Sequence, residues 1–331
     1  MYDGLMGFRI GEVIGLDESP PILIYLNKII YTFHMPIFFS LSGALLALSI
    51  NKYGMDKNKF YTFIKKKLFR ILLPFIIITI FYCIPIRYMI GYYNSETPLY
   101  TIIKENLIKP VHTHMWFLPT LFWTITLFMA SLKFQYKYKI STLLIILLFL
   151  IIHLIGIPGR FTSTLSVFCF DKAINNIIFV ILGFMIERYN ILRFIKNKYI
   201  TLLIIGWIII EYIHFITPEI TCSGFYAYLQ TRIHIVIMDI IGIIAIVLFF
   251  KIVRLFNSQR IQQNQWIMQL NKHSFEIYLY SEPINYIIIY LIILLGQCPI
   301  DGYSLYFIRA ILSLIIALGM AHIIKINFGQ K

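Results

Sequence analysis

The chain has 331 residues, of which 59% are hydrophobic and only 13% charged. A soluble globule is about one quarter charged, so too few polar groups remain to clothe a water-facing surface, and a soluble domain is excluded. The net charge of +14 lies in short Lys/Arg clusters between apolar runs, which is a membrane-orientation pattern and argues against a nucleic-acid partner.

A bilayer core of about 30 Å needs about 20 apolar residues per helix. Nine runs answer to this, at 23–50, 68–91, 115–132, 140–157, 174–187, 200–217, 233–253, 274–296 and 303–325. The run 174–187 is short and is expected to extend a few residues towards the N-terminus. The expected fold is all-α, a polytopic transmembrane bundle of about nine helices forming one membrane domain over 1–331. An external segment 1–22, a bundle 23–325 and a tail 326–331 make up its parts.

Lys and Arg between the runs set the orientation. The segment 51–70 carries seven of them, 133–139 three, 188–199 four and 251–273 four. The intervening connections are poorer, with two in 92–114, two in 158–173, one in 218–232 and none in 297–302. The richer segments and the C-terminus are therefore expected in the cytoplasm, and the N-terminus outside. Tyr92, Tyr93, Trp116 and Trp123 then flank the outer interface.

In chain order, the first polar group at membrane depth is His34, in Phe33-His-Met-Pro and about eleven residues into its run. At 1.5 Å per residue that is about 16 Å deep, near the midplane. An imidazole there acts as a base or acyl-site contact, or is a neutral histidine bonded to a neighbouring helix. Ser40, Ser42 and Gly43 follow, small enough for close helix packing or for the passage of a ligand chain.

The second run is entered through Phe63-Ile-Lys-Lys-Lys-Leu-Phe-Arg70. These cations anchor the cytoplasmic side. Lys66, Lys67 and Arg70 are also suited to gripping phosphates of a nucleotide-like donor. His112 and His114 form an H-x-H pair before Trp116, a weak metal signal without a carboxylate cluster. Further ionisable groups within the runs are His153, Glu211, His214, His234, Asp239, Glu276, Glu282, Arg309 and His322. Glu282 and Arg309 are close enough in expected depth to pair if their helices tilt. The four cysteines, Cys83, Cys169, Cys222 and Cys298, form no CxxC, and no metal is expected.

Four pieces in the right order resemble the membrane acyltransferase-3 family. They are FHMPIFF with Leu41-Ser-Gly43, the basic Lys66-Lys-x-x-Arg70 with Pro74, His114-Met-Trp-Phe-Leu118, and Asn271-Lys-His-Ser-Phe-Glu-Ile-Tyr-Leu279. The FHMP form resembles the branch containing fucose 4-O-acetylase-like proteins. The similarity implies a multi-pass protein of the bacterial plasma membrane that acylates, most often O-acetylates, sugar hydroxyls of surface or exported polysaccharides. The implied donor is acyl-CoA, most often acetyl-CoA, meeting Lys66, Lys67 and Arg70. The residues themselves, rather than the resemblance, offer His34 as the catalytic candidate, with Ser42, Trp116 and Glu282 shaping the site. Lipid and a glycan acceptor are the partners.

Two departures bear on activity. The family's first helix, with a basic residue and, about ten positions on, the histidine regarded as catalytic, has no counterpart in this sequence, and His34 is not taken to replace it. The last motif runs Tyr278-Leu-Tyr-Ser281 where the family usually has Tyr-Leu-x-His. A glycan transporter or flippase, and an inactive truncated acyltransferase, stand as alternatives. No duplication of halves, as many transporters show, is visible.

Overall fold

The structure is a computed structural model that describes residues 21–53, 57–93, 97–110, 113–155, 166–216, 224–255, 264–295 and 302–328. The expected N-terminal segment, apart from its last two residues, and His112, Cys222 and Cys298 lie outside the described residues, as does the end of the C-terminal tail. The described residues are helical throughout their length apart from short connections, and no strand occurs among them. This agrees with the all-α expectation.

Each of the nine apolar runs forms a helix. Those at Ile22–Ile50, Phe60–Met89, His114–Tyr138, Val167–Tyr189, Asn197–Ile216, Tyr226–Leu255 and Gly302–Ile323 are long and apolar enough to cross a membrane. The others are Thr142–Ile155, which is shorter, and Ser274–Leu295. The run 174–187 does extend backwards, into a helix over Phe170–Tyr189.

In chain order, α1 is Pro21–Tyr53, α2 Lys57–Lys67, α3 Leu73–Ile78, α4 Ile84–Met89 and α5 Leu99–Leu107. Then come α6 Phe117–Tyr138, α7 Thr142–Ile155, α8 Phe170–Tyr189, α9 Ile200–Ile216 and α10 Gly224–Leu255. The last three are α11 Gln265–Lys272, α12 Ser274–Leu295 and α13 Gly302–Phe328. Two π-helical turns, Leu68–Leu72 and Thr79–Cys83, join α2, α3 and α4 into one continuous rod. Each lies just before a proline, Pro74 and Pro85. A proline has no N–H for the carbonyl four residues back, so the ladder there widens by one residue. The Ile84 N–H accordingly bonds the Thr79 carbonyl, five residues back.

The described residues fall into two compact units. The first takes in 29–72 and 117–255. Large apolar side chains of α7 and α9, among them Leu143, Leu144, Leu202 and Ile208, remain exposed, which suits lipid rather than water. Inside, α1 meets α8 backbone to backbone. A methyl added to Gly43 would lie 2.0 Å from the Val180 carbonyl oxygen, and one on Gly183 would lie 1.8 Å from that of Ser40. Only glycine allows this approach, so Ser40 and Gly43 serve close helix packing. In lipid, where no hydrophobic force drives helices together, such contact supplies the attraction.

The second unit takes in 21–28, 73–116 and 264–328. Here α12 packs along α13, and α4 packs on both α5 and α12. Buried residues recur every fourth position down the rod, at Phe75, Thr79, Cys83 and Arg87. Pro283 sits inside α12, directly after Glu282, and has no N–H for the carbonyl four residues back.

Candidate functional site

An arginine buried in an apolar helix needs a partner, because an unpaired charge there is costly. Arg87 of α4 keeps only 2% of its side chain exposed. One guanidinium nitrogen donates to Glu282 Oε1 of α12 at 2.8 Å and the other to Asn106 Oδ1 of α5 at 3.1 Å. Asn106 is fixed in turn by donating its amide to the Ile102 carbonyl at 2.7 Å. The guanidinium plane lies 5.2 Å from the Tyr92 ring centre and 5.4 Å from that of Tyr286, within cation–π range.

The second carboxylate oxygen of Glu282 pairs with Nδ1 of His114, which belongs to the short helical turn His114–Trp116. The Tyr286 hydroxyl donates to Oε1 at 3.2 Å. The Tyr278 hydroxyl donates to the His114 backbone carbonyl, and its ring lies 5.6 Å from the imidazole. Burial pushes the Tyr93 phenol up, against the pull of the nearby Arg87 charge, so it stays a neutral donor. Arg309 of α13 interacts electrostatically with Glu282 and Tyr286. The result is one carboxylate held by an arginine, an imidazole and a phenol.

Several enclosed polar atoms in this unit have no hydrogen-bond partner among the described residues: Arg87 Nε, Tyr93 Oη, both ring nitrogens of His114, Glu282 Oε2, Asn285 Oδ1 and Arg309 Nε are among them, so Nδ1 and Oε2 meet as an ion-pair contact rather than in hydrogen-bond geometry. Buried polar groups of this kind are normally satisfied by protein, water or a bound ligand.

Of the groups singled out in the sequence, the structure thus joins Glu282 to His114, with half-buried Trp116 two residues further on. The direct partner of Glu282 is Arg87 rather than Arg309. Arg87 was missed because its helix reads as a plain hydrophobic run. Its signal was an arginine four residues before the end of that run, well away from the basic cluster at its start.

The other candidates lie in the first unit. His34 is half-buried, and its Nδ1 sits 2.7 Å from the Ile30 carbonyl one turn back. A carbonyl only accepts, so Nδ1 carries the proton and Nε2 the lone pair. Its ring stands edge-on to Tyr31 at 4.7 Å and to Phe38 at 6.5 Å. The Ser42 hydroxyl donates to the Phe38 carbonyl at 3.0 Å. Lys66 and Arg70 are exposed, while half-buried Lys67 lies 5.4 Å over the Phe63 ring. Arg70 is carried by the first π turn.

Other intramembrane polar groups of this unit pair among themselves. His153 Nε2 meets Asp239 Oδ2 at 2.6 Å, the Thr32 hydroxyl donates to Glu211, and the rings of His214 and His234 lie 4.7 Å apart. Among the described residues, no three His, Cys, Asp or Glu side chains come together as metal ligands.

No curated protein and no solved structure matches this chain. The acyltransferase-3 family model, described as an acyltransferase domain, matches residues 7–322. That match takes in almost all of the helical rods, the Arg87–Glu282 pair of α4 and α12, and every motif from Phe33 to Leu279, and on it the chain belongs to the acyltransferase-3 family.

Proposed function

We propose that the protein is a multi-pass enzyme of the bacterial plasma membrane, with its C-terminus in the cytoplasm. It moves an acyl group, acetyl in the first instance, from acyl-CoA to a sugar hydroxyl of a cell-surface or exported polysaccharide. The fucose 4-O-acetylase-like branch is the one its FHMP motif favours. The observation that carries this reading is the Arg87–Glu282–His114 group. Acyl transfer to a hydroxyl needs a proton acceptor beside the nucleophile and donors for the negative charge that develops on the thioester oxygen. A neutral imidazole with a lone pair, next to an arginine and phenols in apolar surroundings, supplies both kinds of group.

Lys66, Lys67 and Arg70 are proposed to hold the phosphates of the donor, with Arg70 offering a planar fork and the lysines point charges. His34 is the second histidine with an available Nε2, and its fixed tautomer favours a role as base or as a contact to the acyl group. Ser42, two turns on, is proposed to leave room for the acyl chain, and Trp116 to form part of the wall beside His114.

The test is acetyl incorporation into surface glycan, followed with labelled acetate in a strain from which the gene is deleted. The expected result is loss of label in one glycan fraction and its return on complementation. Unchanged incorporation would sink the reading. Export of that glycan lost together with its label would favour the transporter alternative.

A further inference from the structure

His34 and His114 are both candidates for the base, and their surroundings differ. Among the described residues, His34 bonds to the Ile30 carbonyl of its own helix and packs against aromatic rings. His114 is held by an acid on another helix. We infer that His114 is the catalytic base of the transfer, with Glu282 and Arg87 as its positioning residues. This rests on the acyltransferase reading.

Arg87 donates to Oε1 of Glu282 at 2.8 Å, so that carboxylate is held as the anion. An anionic carboxylate only accepts, so the Nδ1 that pairs with its other oxygen must carry a proton. The lone pair of neutral His114 is thereby placed on Nε2. That nitrogen is enclosed and has no hydrogen-bond partner among the described residues, so a substrate hydroxyl satisfies a group that otherwise costs free energy. The Tyr278 hydroxyl fixes the backbone that carries the ring. A base oriented by a carboxylate through its other nitrogen is the general logic of activated hydroxyl nucleophiles.

The step balances without a further reactant. The sugar O–H gives its proton to Nε2 as its oxygen forms a bond to the thioester carbon. The C–S bond then breaks. The proton passes from Nε2 to the departing sulfur, leaving the ester and free CoA thiol. The imidazolium formed in between faces the Glu282 anion, which stabilises it.

The experiment uses the full chain in membrane vesicles, with radiolabelled acetyl-CoA and with membranes of the deletion strain as the source of acceptor. H114N keeps a donor for Glu282 but has no base. It is expected to lower the turnover rate by about 10²–10⁴-fold with little change in the KM for acetyl-CoA. H114G is expected to regain part of its rate when imidazole is added, which a merely structural histidine would not allow. E282Q is expected to lower turnover and E282D to restore part of it. Should H114N fail to reach the membrane, H114Q makes the same comparison. Wild-type turnover in H114N, or a silent H34N beside an active H114N, would overturn the assignment while leaving the acyltransferase reading intact. Absence of transfer by the wild-type protein would overturn both.

Discussion

Replacing Arg87 with leucine removes the cation bonded directly to Glu282 and leaves the carboxylate with His114, Tyr286 and the more distant charge of Arg309. The arginine is 2% exposed and the glutamate 24%, so water can screen only one of the two. Breaking a buried pair by deleting one partner costs about 3–5 kcal/mol, because the other charge is stranded. Asn106 loses its donor in the same step, and Tyr92 and Tyr286 lose the cation over their rings. R87L should therefore be destabilised by about 3–5 kcal/mol. Substituting both partners strands no charge, so R87L/E282L should recover most of that loss. The measurement is reversible unfolding in mixed detergent and SDS micelles, with the two single variants and the double variant treated as a cycle. R87L within about 1 kcal/mol of wild type, the range of an exposed pair, would refute the view that this is a dry, charged pair. A double variant no more stable than R87L would refute the coupling.

Three further outcomes follow from the geometry. G183V puts a branched side chain where even a methyl would lie 1.8 Å from the Ser40 carbonyl oxygen; it should cost at least the 1–3 kcal/mol typical of overpacking, read as a lower temperature of aggregation in detergent. A K66A/R70A variant removes two exposed cations and should raise the KM for acetyl-CoA far more than it lowers kcat, a difference that shrinks as salt is added. D239N should weaken the bond to buried His153 and destabilise the protein by about 1–3 kcal/mol, with a smaller effect on kcat than H114N, measured in the same unfolding and transfer assays.

The helices were legible because lipid imposes a strict rule: a backbone without water must bond to itself, so a long apolar run becomes a helix. That rule located every rod, some closely, as at Phe170–Tyr189 for the run 174–187, and others less so, as at Gly224–Leu255, which starts nine residues before the run 233–253. It was blind to the direction of a side chain around the rod. Glu282 stood out as an acid in an apolar run, yet its partner Arg87 was passed over, since a cation near the end of a run reads as an anchor. His114 stood out for a possible metal, through its neighbour at 112, and it proved to face a carboxylate on a helix more than 160 residues away in sequence. Long-range pairing of this kind leaves no periodic trace. Ser40 and Gly43 admitted two readings, packing or ligand space. Only the position of Val180 and Gly183, on a separate rod, decides for packing.

The widened turn at Thr79–Cys83 works as a phase corrector. Residues spaced by four advance about 40° beyond a full turn at each step of a regular helix. Over the three steps from Phe75 to Arg87 that drift would reach about 120°, and the row would wind off the face it began on. A turn holding one more residue winds back part of this drift. Phe75, Thr79, Cys83 and Arg87 therefore stay aligned as one inward row, and the guanidinium arrives facing the acid. A single-residue deletion in that turn would leave the rod helical and apolar, but would swing Arg87 by about 100°. The spelling of this helix is thus counted as well as composed: its length between two prolines is part of the site.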